Sequence, residues 1–569
     1  MSFQMTTSRF AQSLGVLDAE LRARFVDAAA QAGQSGDAVP EIALGPARDP
    51  AHGDFATAAA LAAGKLWKRN PLEIAQRVAG AGIANMPGVS AIEAKAPGFI
   101  NLRMTSTYWA GVVREALEQG AAYGRSDALA NTGPILLEFV SANPTGPLNV
   151  VQGRSSSLGA TLAAMLRFAG ATVHTETYVN DAGTQLDLLA DSVYARYATS
   201  FGNETPTPED GYKGEDIVEV ATALRERDGD RWLKASEQER RSAIGEFARD
   251  TIVAQQRADL EAFGVTFDRW TFESSMHAAG KVDAAVDWLL QHGVAFEKDG
   301  AVWLRSTEFG DDKDRVLRRS DGRPTYLAPD AAYHRDKFER GNRYLIDIFG
   351  PDHHGYVTRL KAIAAALGHA GMLEVLIAQQ VTLKRGGETM AMSKRAGQVV
   401  TLREVVDEVG KDAARFFFIN RAPESQLVFD LALAVEQSSN NPVYYVQYGH
   451  ARIASILRKA QETGRVALLE RARAGSDVDR LEHPLEIALI RRLADYGRTV
   501  SEAARARAPH RLAEYARDVA TDFHSFYTEC VVLGDDEALS SARLSLALAS
   551  KTVLASALDL LGVSAPERM

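Results

Sequence analysis

The stretch that decides the fold is ILLEFVSANPTGPLNVVQGR, at positions 135–154. An apolar run at 135–140 contains one acid, Glu138, and turn-forming residues follow at 141–147. A long helical pattern then starts near Asn149. Strand, loop and helix in this order open a doubly wound α/β domain, which binds its ligand at the carboxyl end of the strand. The free N–H groups and positive dipole of the helix N-terminus favour a phosphate there, with an ordinary βα turn as the alternative.

The size and composition of the chain limit the classes of protein to consider. Its 569 residues are too many for one core, so roughly three or four domains are expected. A single cysteine, Cys530, excludes a disulfide framework and a cysteine-based zinc site, and it fits a reducing cytoplasm. We find neither a signal-peptide pattern nor an uninterrupted apolar stretch of about 18 residues. The net charge of −10 argues against indiscriminate nucleic-acid binding but permits a local basic face.

The alternation of strand and helix patterns predicts the extent of the α/β domain. Strands are expected at 171–179, 344–349 and 373–383, and a helix is expected at 329–341. Residues 187–315 are helical and charged and interrupt this alternation. We therefore interpret them as an insertion between the two halves of the domain.

The whole chain is accordingly predicted to be an α/β multidomain protein. It would have a Rossmann-like domain with an inserted domain, an N-terminal α+β domain and a C-terminal all-α helical bundle. The predicted boundaries are 1–110 for the N-terminal domain, 111–186 with 316–400 for the Rossmann-like domain, 187–315 for the insertion, 401–435 for a linker, and 436–569 for the bundle.

The C-terminal helical part is locally basic. Residues 451–517 contain 14 Lys and Arg against 9 Asp and Glu, in a chain that is acidic overall. Nearly all of these basic residues are arginine, which suits phosphates and stacked bases. Tyr444, Tyr445 and Tyr448 lie just before this segment. The pattern fits an RNA-binding surface and a surface-charged bundle with a tyrosine core equally well.

Three polar loops follow strands of the predicted sheet, at 141–149, 180–185 and 350–355. Because the carboxyl ends of parallel strands meet at one edge, we expect these loops to converge near Glu138 and Asp330. The loops supply Asn143, Asn180, Asp181, Gln185, Asp352, His353 and His354. Several acids and amides with few fixed cations suit a cationic group, above all a planar guanidinium.

The same edge also offers groups that suit an anion. The helix N-terminus at Asn149 and the lysine of a Gly-containing loop, Lys394, fit a triphosphate. A site for both a cation and an anion is a two-substrate site. His353 and His354 could instead bind a metal, but the sequence shows no matching third ligand, so metal coordination is the minor alternative.

The sequence resembles the arginyl-tRNA synthetases, which are class I aminoacyl-tRNA synthetases. The resemblance covers essentially the whole chain and is carried by HGDFAT, APGFINLR, EFVSANPTGPL, YVNDAGTQ, FGDDKDRVLRRSDGRPTY, DAAYHRDKFERG, GPDHHGY, MSKRAG, NPVYYVQYGHARI and SAPERM. It implies that arginine reacts with ATP to give arginyl-adenylate and pyrophosphate. The arginyl group then passes to the 3′-terminal adenosine of tRNA(Arg).

The resemblance also implies roles for individual residues. Glu138 and Asp330 would bind the guanidinium, Tyr326 would close that pocket, and Asn149, Gln152 and Lys394 would act on the phosphates as the catalytic residues. The full arginine-binding set is Glu138, Asn143, Tyr326, Asp330 and His354. The full ATP-binding set is Pro144, Gly146, Leu148, Asn149, Val151, Gln152, Gly350, Asp352, His353, Met392, Ser393 and Lys394.

The resemblance further implies the partners of the chain. The N-terminal domain would contact the corner of the tRNA, residues 401–435 its stem, and the bundle its anticodon. Candidate tRNA-binding residues in the bundle are Tyr444, Gln447, Tyr448, His450 and Arg452. ATP would enter with Mg²⁺, and neither a structural zinc nor a membrane is expected. We expect a cytoplasmic monomer.

The sequence departs from the family pattern at the ATP end of the site. The class I signature His-x-Gly-His reads Asn149-Val150-Val151-Gln152 here, and the first lysine of Lys-Met-Ser-Lys is replaced by Ala391. Amides can still donate hydrogen bonds to phosphate, but a β-branched side chain replaces the glycine against which adenine lies. Val531 stands where the family commonly has an arginine.

These departures leave an alternative to an active arginyl-tRNA synthetase. The chain could be a tRNA-binding paralogue that has lost amino-acid activation. We favour the active enzyme, because the guanidinium pocket, the ribose-binding element and Lys394 are all present. A synthetase for another amino acid is disfavoured by the pair Glu138 and Asp330.

Overall fold

The structure is a computed structural model, and it describes residues 9–35, 38–47, 49–390 and 400–569. The helices of the N-terminal and central parts are α1 (Arg9–Gln31), α2 (Ala59–Trp67), α3 (Pro71–Gly80), α4 (Ser106–Gln119), α5 (Val150–Phe168), α6 (Thr184–Thr199), α7 (Glu215–Asp228), α8 (Glu237–Ala262), α9 (Glu273–Ala278), α10 (Lys281–Gln291), α11 (Leu327–Glu339) and α12 (Val357–Ala366). Those of the C-terminal part are α13 (Leu402–Val409), α14 (Lys411–Ile419), α15 (Leu431–Val435), α16 (Pro442–Glu462), α17 (Val466–Arg473), α18 (Pro484–Ala494), α19 (Tyr496–Arg505), α20 (His510–Glu529) and α21 (Glu537–Leu561).

The strands form separate sheets in different parts of the chain. They are β1 (Gly45–Pro46), β2 (Phe55–Thr57), β3 (Val89–Lys95), β4 (Phe99–Met104), β5 (Ile135–Glu138), β6 (Val173–Val179), β7 (Arg269–Phe272), β8 (Ala295–Lys298), β9 (Ala301–Leu304), β10 (Arg315–Arg318), β11 (Tyr344–Phe349), β12 (Leu373–Ile377), β13 (Val381–Arg385), β14 (Glu388–Thr389) and β15 (Leu427–Asp430).

The central domain is built on a five-stranded parallel sheet with the order β12-β11-β5-β6-β7. Strand β5 is buried along its whole length, and it pairs with β11 on one side and with β6 on the other. The chain moves outward from β5 in both directions, so β5 lies at the topological switch point where ligands bind in such sheets. The Rossmann-like architecture predicted from residues 135–154 is confirmed.

Helix α5 packs closely against the sheet that it follows. A Cβ atom at Gly159 would lie 2.2 Å from the ring of Phe139, so this close approach requires glycine. Arg154, which is fully buried on α5, donates 2.8 Å hydrogen bonds to the carbonyl oxygens of Gln379, Ala422 and Ser425. The connection between β12 and β13 and the loop after α14 are thereby attached to the helix that begins the site.

Two predictions about strands are wrong. The segment 373–383 is not one strand: β12 ends at Ile377 in the central sheet, and β13 belongs to a second sheet with β14 and β15. Strand β7 lies within the predicted insertion 187–315, but it pairs in parallel with β6 and completes the central sheet. Both errors arise because strand pairing depends on partners that are distant in sequence.

The remaining layers flank this sheet. The N-terminal part has an antiparallel sheet, β1-β2-β4-β3, with helices packed on it, and α6, α7 and α8 share a hydrophobic core of their own. These α+β and all-α parts confirm the predicted fold class. Helix α21 is long and apolar enough to cross a membrane, but it packs against α16, α17 and α20 within the helical bundle.

Candidate active site

The carboxyl ends of β5, β6 and β11 meet at one edge of the central sheet. The loops predicted to converge, 141–149, 180–185 and 350–355, follow these adjacent strands. Helix α11 covers one face of this edge, and acids of β5 and β11 reach its side chains there. The edge therefore combines polar loops with a charged layer beneath them.

Four ionisable side chains form a buried network between the sheet and α11. The Lys337 ammonium donates hydrogen bonds to Glu138 and, at 2.9 Å, to Asp347 Oδ1. His334 Nε2 lies 3.1 Å from Asp347 Oδ2. None of the four is more than 3 % exposed. Lys337 thus provides a fixed positive charge directly beneath Glu138.

Burial and charge act against each other in this network. Burial raises the pKa of Glu138 in spite of the neighbouring Lys337. Burial alone would lower the pKa of Lys337, but Asp347 and Glu138 reverse this and raise it. Burial would likewise raise the pKa of Asp347, but Lys337 and His334 hold it below its usual value. Lys337 and Asp347 therefore remain a charged pair.

Glu138, the predicted guanidinium ligand, already has two partners. The Ser141 hydroxyl donates to its Oε1 at 2.6 Å, and Lys337 donates to its Oε2. A carboxylate offers about four lone-pair sites, so Glu138 keeps capacity to accept further hydrogen bonds.

Asp330 lies in the first turn of α11 and accepts a hydrogen bond from the Tyr356 hydroxyl. Burial raises the pKa of Asp330. Within the described residues, no lysine or arginine forms an ion pair with this carboxylate. Tyr326, predicted to close the pocket, precedes the same helix and is 81 % exposed, so its ring lies at the surface.

The loop after β5 is held by helix α8. The Gln256 amide donates hydrogen bonds to the carbonyl oxygens of Asn143 and Gly146, at 3.2 and 2.8 Å. The exposed Asn143 side chain donates to Gln185 Oε1 at 2.9 Å. Pro144 and Leu148 of this loop are buried. The backbone that precedes α5 is therefore fixed, and the Asn143 side chain contacts Gln185 near the end of β6.

The two amides that replace the signature histidines form a capping box at the start of α5. Asn149 Oδ1 accepts from the N–H groups of Val151 and Gln152, at 2.8 and 3.3 Å, and Gln152 Oε1 accepts from the Asn149 N–H at 2.8 Å. This arrangement uses the oxygen of each amide. The NH₂ groups have no partner among the described residues and stay available as donors to a phosphate.

We expect Asn149→Ala to lower the free energy of unfolding by about 1 kcal/mol, because it removes a helix cap. We also expect it to raise the KM for ATP, because it removes a donor. Asn70→Ala is the matched control, since Asn70 caps α3 in the same way, through the Leu72 N–H at 2.9 Å. Steady-state kinetics of both variants should show the ATP effect for Asn149→Ala alone. If the KM for ATP changes equally in Asn149→Ala and Asn70→Ala, the proposed role of Asn149 is contradicted.

The segment after β11 is a short 3₁₀ helix, Pro351–Tyr356, rather than an open loop. It follows Gly350, where a Cβ atom would lie 2.6 Å from Asp352 Oδ1. Asp352, His353 and His354 are exposed, and His353 Nε2 lies 3.5 Å from Asp352 Oδ2. These side chains line the open side of the sheet edge, where they can meet a solvent-borne ligand.

Met392, Ser393 and Lys394 lie outside the described residues. The described chain resumes at Val400, and Thr401 pairs with Asn149 in an isolated antiparallel bridge. Thr401 is therefore adjacent to the start of α5.

One candidate loop residue is used internally. The sequence predicts that Asp181 faces the site, but its side chain is 2 % exposed. It accepts hydrogen bonds from Ser274, at 2.8 Å from N and 2.5 Å from Oγ, and from Arg249 at 3.2 Å. This prediction is wrong because burial against the start of α9 is a tertiary property.

Sequence reasoning missed four residues near the site. These are Tyr178, Glu273, Lys337 and Tyr356. Lys337 carried a usable signal, since it lies on the same face of α11 as Asp330 and Tyr333, two and one helical turns earlier. Glu273 carried none, because it follows a strand that the sequence did not reveal.

The candidate RNA-binding residues of α16 divide into two groups. Tyr444 and Tyr448 stack at 6.1 Å between ring centroids, and the Arg452 guanidinium lies 4.9 Å from the Tyr527 ring. By contrast, the Gln447 amide donates to Asp412 and to residue 564, and His450 is 2 % exposed with Nδ1 2.8 Å from the carbonyl of residue 566. The prediction for His450 must be corrected, because its ring is buried against the C-terminal segment.

In the described ranges, no group of three or more His, Cys, Asp and Glu side chains is arranged to hold a metal ion. His353 and Asp352 lie 3.5 Å apart, but they are only two side chains, fewer than such a group needs. An exposed imidazole can also donate or accept a hydrogen bond, so the histidines of this edge suit a polar organic ligand.

The fold and the site define the class of the protein. Residues 112–422 match the family model described as the catalytic domain of class I (R) tRNA synthetases. Residues 19–104 match the arginyl-tRNA synthetase N-terminal domain, and residues 446–569 match the DALR anticodon-binding domain. The chain belongs to the arginyl-tRNA synthetase family.

Individual relatives agree with this assignment. The chain is 44 % identical to an arginine–tRNA ligase from Heliobacterium modesticaldum, over 93 % of this chain and 94 % of that protein. It is 46 % identical to one from Desulforudis audaxviator, over 94 % and 95 %. The solved arginyl-tRNA synthetase from Thermus thermophilus superposes with a TM-score of 0.74 at 25 % identity, over 97 % of this chain and 100 % of that chain.

Proposed function

We propose that this chain activates L-arginine with ATP and transfers it to the 3′-terminal adenosine of tRNA(Arg). The observation that supports this most directly is the sheet edge itself. There Glu138 ends β5, the capped helix α5 begins after the loop that follows it, and Asp330 lies in the first turn of α11, in a chain of the arginyl-tRNA synthetase family. A triphosphate and a guanidinium each find groups of the opposite charge at this edge.

In the first step the carboxylate of arginine attacks the α-phosphorus of ATP, and pyrophosphate leaves. Glu138 and Asp330 would fix the guanidinium, and Asn143 would hold the amino-acid end. The NH₂ groups of Asn149 and Gln152 would donate to phosphate oxygens as negative charge develops there. Such a step depends on positioning and on charge stabilisation rather than on a side-chain base.

The remaining ATP contacts are proposed for the exposed segment after β11 and for the loop before Val400. Gly350 and Asp352 would bind the ribose, with His353 and His354 beside the two substrates. Lys394, with Met392 and Ser393, would stabilise the outer phosphates. Mg²⁺ would enter as part of the MgATP substrate.

In the second step the 2′-hydroxyl of the terminal adenosine attacks the carbonyl carbon of the adenylate, and AMP leaves. We propose that the bundle binds the anticodon through Tyr444, Tyr448 and Arg452, because these rings and this cation are accessible for base stacking. We further propose that the N-terminal domain contacts the corner of the tRNA and that the protein works as a cytoplasmic monomer.

Arginine-dependent exchange between ATP and labelled pyrophosphate tests the proposed activity, with and without a tRNA(Arg) transcript. We expect exchange with arginine in the presence of tRNA, and none with lysine. Absence of exchange with the matching tRNA would instead indicate a tRNA-binding paralogue without activation. The relatives from Heliobacterium modesticaldum and Desulforudis audaxviator, each named as an arginine–tRNA ligase, do not favour that alternative.

A further inference from the structure

Helix α8 reaches the ATP end of the site from the segment that the sequence presents as an insertion. Two of its buried side chains, Gln256 and Asp259, lie three residues apart and therefore on the same face of the helix. Gln256 contacts the loop that follows β5, and Asp259 contacts Arg403 in the first turn of α13. One helix thus holds the two segments that meet at the start of α5.

The contact with the loop is made through backbone carbonyl oxygens. Gln256 Nε2 donates to the carbonyl oxygen of Asn143 at 3.2 Å and to that of Gly146 at 2.8 Å. Gln256 is 3 % exposed, so solvent has little access to compete for these hydrogen bonds. Only two residues separate Gly146 from Asn149. The position of the Gly146 carbonyl therefore limits where Asn149, the cap of α5, can lie.

The contact with α13 is an ion pair. The Arg403 guanidinium donates to Asp259 Oδ1 from Nε at 3.0 Å and from Nη2 at 2.5 Å. Gln255 Nε2 donates to the same oxygen at 2.8 Å. Asp259 is buried, whereas the Arg403 side chain is 42 % exposed. Hydrogen bonds between charged groups are stronger than neutral ones, so this pair ties the first turn of α13 to α8.

The start of α13 is in turn joined to the start of α5. The Leu402 N–H donates to the Leu148 carbonyl oxygen at 2.7 Å. Thr401 pairs with Asn149 in the isolated bridge. A Cβ atom at Gly153 would lie 2.8 Å from Leu402 Cδ1, so α13 and α5 are in close contact. A displacement of α13 would therefore displace Asn149 as well.

We propose that Gln256 and the ion pair of Asp259 with Arg403 are positioning residues for ATP. This inference rests on the proposed function. The three side chains act through Asn149 and the backbone before it, because they fix where the start of α5 lies. Donors that stabilise developing charge must be held in place before the reaction, and a small displacement of them is costly.

The first test is Arg403→Met, which keeps an unbranched side chain but removes the donors. We expect the KM for ATP in arginine-dependent pyrophosphate exchange, measured with tRNA present, to rise by about 10-fold, because the start of α5 loses one of its supports. The KM for arginine should stay nearly unchanged, since Glu138 and Asp330 are held by Lys337 and Tyr356 instead. Arg403→Lys keeps the charge and should raise the KM for ATP less.

Arg241→Met is the matched control. Arg241 also lies on α8, and it donates to Asp191 of α6 from Nε at 2.8 Å and from Nη2 at 2.7 Å. Its side chain is 42 % exposed, as that of Arg403 is. The same ion pair is lost there without any link to the start of α5, so both KM values should match those of the parent chain.

Two further variants separate positioning from a general loss of structure. Gln256→Met removes the donor to the loop and should also raise the KM for ATP more than that for arginine. Arg403→Met combined with Asn149→Ala should raise the KM for ATP by less than the product of the two separate increases, because both changes act on the same donor.

The outcomes distinguish this inference from the proposed function. If Arg403→Met leaves the KM for ATP unchanged, or raises the KM values for ATP and arginine equally, the inference is wrong while the proposed function stands. The same holds if its effect multiplies fully with that of Asn149→Ala. If the parent chain shows no arginine-dependent exchange, both are wrong.

Discussion

Lys337→Met is expected to lower the free energy of unfolding of the central domain by about 3–5 kcal/mol. The ammonium of Lys337 is fully buried and serves two carboxylates, Glu138 and Asp347. Methionine would fill a similar volume but would leave two acids facing each other without a cation. Differential scanning calorimetry should show this loss as a lower midpoint of the transition of this domain.

Lys281→Met is the matched control for this substitution. Lys281 pairs with Asp336, but its side chain is 46 % exposed. Water can replace the lost partner there, so we expect a loss of no more than about 1 kcal/mol. Adding Glu138→Gln and Asp347→Asn to Lys337→Met should restore part of the stability, because the uncompensated charges are then removed. If Lys337→Met and Lys281→Met lower the free energy of unfolding equally, the buried network does not stabilise the domain as proposed.

Asp330→Asn is expected to raise the KM for arginine by about 10- to 100-fold and to leave the KM for ATP nearly unchanged. The substitution removes a carboxylate that has no lysine or arginine ion-pair partner among the described residues, and hydrogen bonds to charged groups contribute roughly 1.5–3 kcal/mol. Asparagine keeps an oxygen that can still accept from the Tyr356 hydroxyl. The loss should therefore concern the charge of the pocket and not the fold of α11.

Steady-state aminoacylation with each substrate varied in turn measures this effect. Asp321→Asn is the control, because Asp321 is an acid at the surface whose partner, Arg323, is exposed as well. We expect both KM values of that control to match those of the parent chain. A similar rise in the KM for arginine and for ATP in Asp330→Asn would argue against a guanidinium contact.

Local sequence patterns predict a large part of the site. The sequence predicts that the first helix of the Rossmann-like domain starts near Asn149, and Asn149 caps this helix, α5. The prediction succeeds because capping depends on residues within one turn of each other. The pattern of 373–383 fails for the opposite reason: one apolar run contains β12 and β13, which pair in different sheets. No local pattern records which strand a segment will meet.

The sequence by itself determined the strand, loop and helix that begin the catalytic domain, the class of the fold and the acidic character of the pocket. Only the tertiary structure decided which acids at this sheet edge have a lysine partner. Lys337 reaches Glu138 across 199 positions of sequence and donates a hydrogen bond to it, whereas Glu273 is placed at the sheet edge by the pairing of β7 with β6 and, among the described residues, has no ion pair with a lysine or arginine. The physical reason is that the charge state of a buried carboxylate depends on the groups packed around it in space, and these come from distant parts of the chain.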